Sequence, residues 1–406
     1  MGRRRAAGPP RPIPLASSAM SAYWRLSGWY FFYFAYIGGF SSFFTLYLQQ
    51  RSLNAWEMGV LMSVTQLMRM VAPTGWGWLA DRYGCRDALV RASAFLTLAG
   101  FTGFYLVEGF AGHLAVMVLV SAFWSAALPL VEAKTLDALR GRVEGYGRIR
   151  LWGSVGFIVA VIGVGAWLEG RSIGSLLPVC LILLAGIAGA ALSLPPSTVS
   201  RARVESASRP GLGRTRVLAL LAACFLMAAA HGALYVFLSI HLVDLGYGRV
   251  QVGVLWSIGV VAEILVFLAM PPLLRKWSLR AVLVGCFSVA VVRFLIIGWL
   301  ADSAVLLVLA QLMHAVTFGA YHASAVAALN RWFPASHQAR VQAIYGSVSF
   351  GAGGMAGGLL AGATWETLGA GITFTIAAGF AALGLVLVLR HVGEPANGSP
   401  EVAASP

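Results

Sequence analysis

The stretch GVLWSIGVVAEILVFLAM, residues 253–270, decides the fold. It runs eighteen residues with a single charge, Glu263, and no apolar–polar alternation. A run of this length suits a helix crossing the hydrocarbon core of a bilayer, where each backbone polar group must be paired within its own segment. A strand of a membrane barrel would alternate instead. Such runs recur in both directions: 59% of the 406 residues are hydrophobic and 11% charged, and the mean hydropathy is +0.79. Twelve spans are expected, at 23–49, 58–79, 88–107, 114–136, 149–168, 173–194, 217–241, 250–270, 281–300, 304–329, 340–363 and 369–390. The class is an all-α membrane protein of twelve transmembrane helices.

The quoted stretch also repeats. It begins GVLWS, and residues 59–63 read GVLMS. A shift of 194 positions sets Gly38 on Gly232, Phe43 on Phe237, Leu48 on Leu242, Arg82 on Lys276 and Arg86 on Arg280. With one residue of slip, WGSVGF (152–157) falls on YGSVSF (345–350). The chain thus reads as two six-helix halves, 23–194 and 217–390. A Pro-, Ser- and Arg-rich linker at 195–216 joins them, with tails at 1–22 and 391–406. Parallel repeats of this kind describe secondary transporters, whose site lies at the midplane between the halves. The same shift sets Glu263 on Arg69, opposite charges at one place in each half.

The net charge of +14 is a matter of topology. Arg3, Arg4, Arg5, Arg11, Arg82, Arg86, Arg91, Arg140, Arg142, Arg148, Arg201, Arg203, Arg209, Arg214, Arg216, Arg275, Lys276, Arg280, Arg331 and Arg390 fall at one set of helix ends. The opposite loops hold only Arg51, Arg171 and Arg249. This is the positive-inside pattern: both termini are expected in the cytoplasm, the first helix is uncleaved, and nucleic acid is not the partner. The four cysteines, Cys85, Cys180, Cys224 and Cys286, are scattered and suggest neither disulfides nor a metal site. HExxH, GxSxG, CxxC and Walker motifs are absent, so an enzyme is not expected, nor a cofactor.

A charge in the middle of a spanning helix must face a cavity or a partner. Glu263 shares a stripe with Trp256 and Gly259. It is the leading candidate to carry a proton, with a structural bridge to Arg69 or Arg293 as the alternative. His314, Phe318 and His322 are spaced i, i+4, i+8. The two histidines would relay a proton or meet substrate, or simply bond neighbouring helices; His231 follows the same logic. Arg69, on a stripe with Gln66 and Pro73, requires an anion, either Glu263 or a substrate carboxylate. Arg293 is a weaker candidate, on a helix expected at the periphery. Asp137 is expected to pair with Arg150 across a short loop. Glu132 lies deeper, either reaching the cavity with Arg150 or neutralised by Lys134. Trp29, Tyr33, Tyr36 and Phe40 form an aromatic stripe; Tyr33 and Tyr36, with Trp256, are expected to line the cavity and stack on a flat substrate. Gly353, Gly354, Gly357, Gly358 and Gly362 suit close helix packing.

GWLADRYGCR (77–86) resembles the loop motif of the major facilitator superfamily through Gly77, Asp81, Arg82, Gly84 and Arg86. In that superfamily the motif helps to close the cytoplasmic gate. The second copy, PPLLRKWSLR (271–280), lacks the Asp. YGRIRLWGSVGF (146–157), LWSIGVVAEILVF (255–267), MHAVTFGAYHASA (313–325) and RVQAIYGSV (340–348) resemble the 3-phenylpropionate permease branch, which is related to lactose-permease-like proton symporters. The resemblance implies a monomeric inner-membrane symporter coupling proton entry to uptake of a small organic solute by alternating access. An aromatic carboxylate such as 3-phenylpropionate is the expected cargo and the proton the coupling ion. The alternatives are a sugar or nucleoside symporter, for which Glu132 and Arg150 would serve hydroxyl groups, and a drug or metabolite antiporter. The expected partners are the solute and membrane lipid.

Overall fold

The computed structural model describes residues 15–139, 143–196 and 215–393. Most of the expected linker and tails, and the basic residues Arg140 and Arg142, lie outside the described residues. The helices are α1 (Leu15–Gln50), α2 (Ala55–Tyr83), α3 (Arg86–Tyr105), α4 (Gly109–Ala138), α5 (Val143–Leu168) and α6 (Ile173–Ser193). They continue with α7 (Thr215–Asp244), α8 (Arg249–Lys276), α9 (Leu279–Trp299) and α10 (Ala304–Trp332). The last run, Ala335–His391, breaks at Gly369 (φ 81°, ψ 169°), a conformation in practice open only to glycine. The break divides it into α11 (335–368) and α12 (370–391).

Ten helical runs among the described residues are long and apolar enough to span a membrane, the one broken at Gly369 counted once. The polar residues of α2, Gln66 and Arg69 among them, keep it out of that set although it has 29 residues. With α2 included and the last run divided, the described residues form twelve spanning segments. Several helices outrun the expected spans. The first starts at Leu15 rather than 23 and the eleventh at Ala335 rather than 340. Apolar runs mark only what the hydrocarbon covers, whereas helix ends are set by caps. Asn54 and Glu57 form a capping box at the start of α2, and Gly84, at φ 61°, closes its far end.

In the first half α1 packs on α5 and α6, and α4 packs on α2 and α3. In the second, α7 lies against the α11–α12 run, which also covers α9, while α10 packs on α8 and α9. The halves meet chiefly along two seams, α2 on α11 and α5 on α8, with α1 also touching α7. Glycines let the backbones touch: a Cβ on Gly59 would lie 2.8 Å from the Gly358 carbonyl oxygen and 2.9 Å from Gly362 Cα. A Cβ on Gly253 would lie 2.5 Å from the Val161 carbonyl oxygen. Each seam also carries a carboxylate from one half that caps a helix of the other. The Ala55 amide donates to Glu366 Oε1 at 2.8 Å, and the Val250 amide donates to Glu169 Oε2 at 3.1 Å. Arg249 Nη1 donates to the carbonyls of Leu168 and Arg171, both at 2.6 Å, at the end of α5. These contacts shut the end of the bundle remote from the termini. Toward the other end α2 stays on α4, where Trp76 Nε1 donates to the Ala122 carbonyl at 3.0 Å, while a Cβ on Gly75 or Gly77 would meet nothing within 4 Å.

Candidate central site

Between the halves lies a cavity of about 330 Å³. The first half lines it with Tyr36, Gln66, Arg69, Trp124 and Arg150, the second with Tyr235, Trp256, Glu263, His314 and Phe318. Arg69 and Glu263 both face it, as their matching places in the repeat require, but they do not pair. Arg69 Nη1 donates to Gln66 Oε1 at 3.3 Å, and its guanidinium sits 5.0 Å from the Trp124 ring centre. Arg150 likewise covers the Phe34 ring at 3.8 Å. Among the described residues neither arginine is in ion-pair contact with a carboxylate.

On the facing wall His314 Nε2 lies 2.7 Å from Glu263 Oε1, both side chains largely buried. A carboxylate and an imidazole at that distance can share one proton and pass it to a third group. The alternative bridge from Glu263 to Arg69 or Arg293 is not formed. Arg293 is not peripheral. It is fully buried, donating from Nε to the Ala310 carbonyl at 2.8 Å and from Nη1 to Thr317 Oγ1 at 3.0 Å. His231 stands behind His314, with 6.0 Å between ring centres. Its Nε2 is 3.3 Å from Arg293 Nη1 and its Nδ1 is 2.8 Å from the Met227 carbonyl. His231 therefore backs the cavity wall rather than forming it.

Other expected residues are placed elsewhere. Tyr33 is packed between Trp29 and Trp124, at ring separations of 4.8 and 5.0 Å, and does not reach the cavity. Of that stripe Tyr36 and Phe40 do. His322 leaves the line of His314 and Phe318 because residues Ala315–Ala320 form a π-turn, which breaks the 3.6-residue register. Its Nδ1 is 2.8 Å from the Tyr345 hydroxyl on α11. Glu132 also stays off the cavity surface, accepting from the Tyr146 hydroxyl at 3.1 Å. Asp137 pairs with Arg86 at 2.9 Å, not with Arg150, and Lys134 meets Asp87 at 2.5 Å rather than Glu132. The cause is the packing of α3 on α4, which offers the first turn of α3 to the end of α4. Of the loop motif, Asp81 is exposed and 4.0 Å from Arg86, Arg82 is exposed, and Gly77 and Gly84 lie along and just after the end of α2.

Trp124 and Tyr235 were not among the expected residues. The internal repeat holds the signal for both: a shift of 194 sets Trp124 on Phe318 and Ser41 on Tyr235, and all four line the cavity. Trp256 is steadied by donating from its indole nitrogen to Ser239 Oγ at 3.1 Å, with Tyr235 nearly parallel to it.

A protein of Escherichia coli (strain K12) named as a probable 3-phenylpropionic acid transporter is 29% identical over 373 residues, covering 88% of this chain and 94% of that protein. A maltose permease of Geobacillus stearothermophilus is 34% identical over 142 residues, 34% of this chain and 36% of the permease. Among solved structures, the nucleoside transporter NupG superposes with a TM-score of 0.80 at 18% identity, covering 92% of this chain and 100% of its own. A bacterial homologue of the lysosomal transporter Spinster, inward-facing and unoccupied, does so at 0.68 and 16% identity, covering 93% and 95%. Both share the fold. Residues 23–376 match the MFS_1 like family, and the chain belongs to that family of the major facilitator superfamily.

Proposed function

We propose that the protein is a proton-coupled symporter that brings a small aromatic carboxylate, of the 3-phenylpropionate type, into the cell by alternating access. The observation that carries the reading is the pair of cavity-facing guanidiniums, Arg69 and Arg150, framed by aromatic rings and without a carboxylate partner among the described residues. Arg69 is exposed within the cavity and Arg150 partly buried; both keep their charge, and a flat ring bearing a carboxylate supplies the matching anion at a length the cavity accommodates. Tyr36 and Trp256 offer faces for the ring, and Trp124 holds the Arg69 guanidinium beside them. Glu263 and His314, on the facing wall, hold the proton. Coupling follows if the halves reorient only when substrate neutralises the arginine wall and a proton neutralises the glutamate wall. The name of the Escherichia coli relative supports the same cargo class. The positive-inside pattern supports a cytoplasmic location for the termini, and hence for the end of α2 that carries Gly75 and Gly77.

The test is proton movement in liposomes loaded with a pH dye, with 3-phenylpropionate, a disaccharide and a nucleoside added in turn and protein-free liposomes as control. Acidification with the aromatic acid alone is expected. Glu263→Gln is expected to abolish uphill uptake and proton flux while retaining substrate exchange. Loss of binding and exchange in that variant would remove Glu263 from the proton-carrying role. A response to the disaccharide or nucleoside alone would discard the carboxylate.

A further inference from the structure

A second hollow, of about 250 Å³, lies on the outside of the bundle between α8, α9 and α10. It shares no lining residue with the central site. Val266, Ala269 and Leu273 of α8 form one wall, Gly285 and Cys286 of α9 the floor, and the π-turn of α10 the other wall through Val316 and Ala320. All its lining residues are apolar, apart from the indole edge of Trp277 at the end toward the termini. The floor is open: a Cβ on Gly285 would meet nothing within 4 Å. A polar solute has nothing to bond there, whereas a hydrocarbon chain fits.

The rim has the opposite character. Lys276 ends α8 beside Trp277, and Arg331 ends α10 on the face that carries Ala320 and Ala327. Both are exposed, and neither has an ion pair among the described residues. The four acids of residues 215–393 are Asp244, Glu263, Asp302 and Glu366, and none is at this end of the bundle. On the same end of the first half two of the cations are answered, Arg86 by Asp137 and Lys134 by Asp87. An apolar crevice running into an uncompensated basic rim at the depth of a membrane interface matches one ligand chemistry, a hydrocarbon chain with an anionic phosphate head.

We propose that this groove binds an anionic phospholipid from the leaflet on the terminus-bearing side, one acyl chain between α8, α9 and α10 and the phosphate on Lys276 and Arg331. The test is native mass spectrometry of the full-length, delipidated protein titrated with phosphatidylglycerol or phosphatidylcholine of identical chains. Phosphatidylglycerol is expected to be retained selectively. Lys276→Gln and Arg331→Gln should each weaken it about fivefold, the effect of one surface cation on an anionic lipid. Gly285→Leu projects into the crevice from a position where a Cβ meets nothing within 4 Å, and should displace the chain. Helical circular dichroism and monodispersity confirm that each variant is folded. Equal retention of the two lipids overturns the phosphate assignment, and retention unchanged in Gly285→Leu overturns the groove.

Discussion

Replacing Arg69 by glutamine is expected to weaken 3-phenylpropionate binding by roughly tenfold or more, the loss typical when a hydrogen bond to a charged group is removed. The side chain touches no carboxylate of the described residues, so its removal leaves no protein anion stranded. The whole effect should therefore appear in ligand affinity, and the fold should stand. Arg69→Lys keeps the charge but loses both the planar fork and the flat contact with Trp124, and should recover only part of the affinity. Equilibrium dialysis with radiolabelled ligand reads both variants, with a neutral amide analogue as comparison. Binding of the acid within threefold of the unaltered protein in Arg69→Gln would sink the carboxylate reading, whatever the transport assay shows.

The second large effect is expected at a seam between the halves. Gly59→Leu places a side chain where the backbone of α11 already lies, 2.8 Å from the Gly358 carbonyl oxygen. Backbone cannot step aside as a flexible side chain can. Overpacking costs about 1–3 kcal/mol, and here the strain exists only in the state that shuts the remote end. The population of that state should fall by roughly 5- to 150-fold relative to the alternative. Adding Glu366→Ala removes the cap on the Ala55 amide and should push the balance the same way. Spin-label distances across the remote ends of α2 and α11 report the shift directly. Uphill uptake should be lost while the labels move apart. Unchanged distances, with the protein folded, would show that the seam does not set the conformation.

Much of the fold was legible because one physical requirement dominates. A helix in hydrocarbon must be long, apolar and internally bonded, and those properties can be read residue by residue. The repeat then set Arg69 and Glu263 at matching places, and the structure puts both on one cavity. What failed were inferences that depended on helix phase or on a third helix. The line from His314 to His322 presumed an unbroken register, and a π-turn interrupts it. The Asp137–Arg150 pair considered two helices joined by a loop, but α3 supplied Arg86 as the closer cation. Tyr33 and Tyr36 stand nearly a full turn apart on one aromatic stripe, and only the position of Trp124 decides which of them is covered. Such choices belong to packing among several helices, which no single stretch records. Trp124 was findable through its repeat partner Phe318, which had already been singled out.

The crossed caps bear on how such a chain could arise. Glu169 follows the fifth helix of one half and caps the second helix of the other; Glu366 nears the end of the fifth helix of its own half and returns the same service. In a homodimer of a single six-helix ancestor, two-fold symmetry would make those two contacts one and the same. A lone carboxylate, encoded once, would fasten both sides of such a dimer.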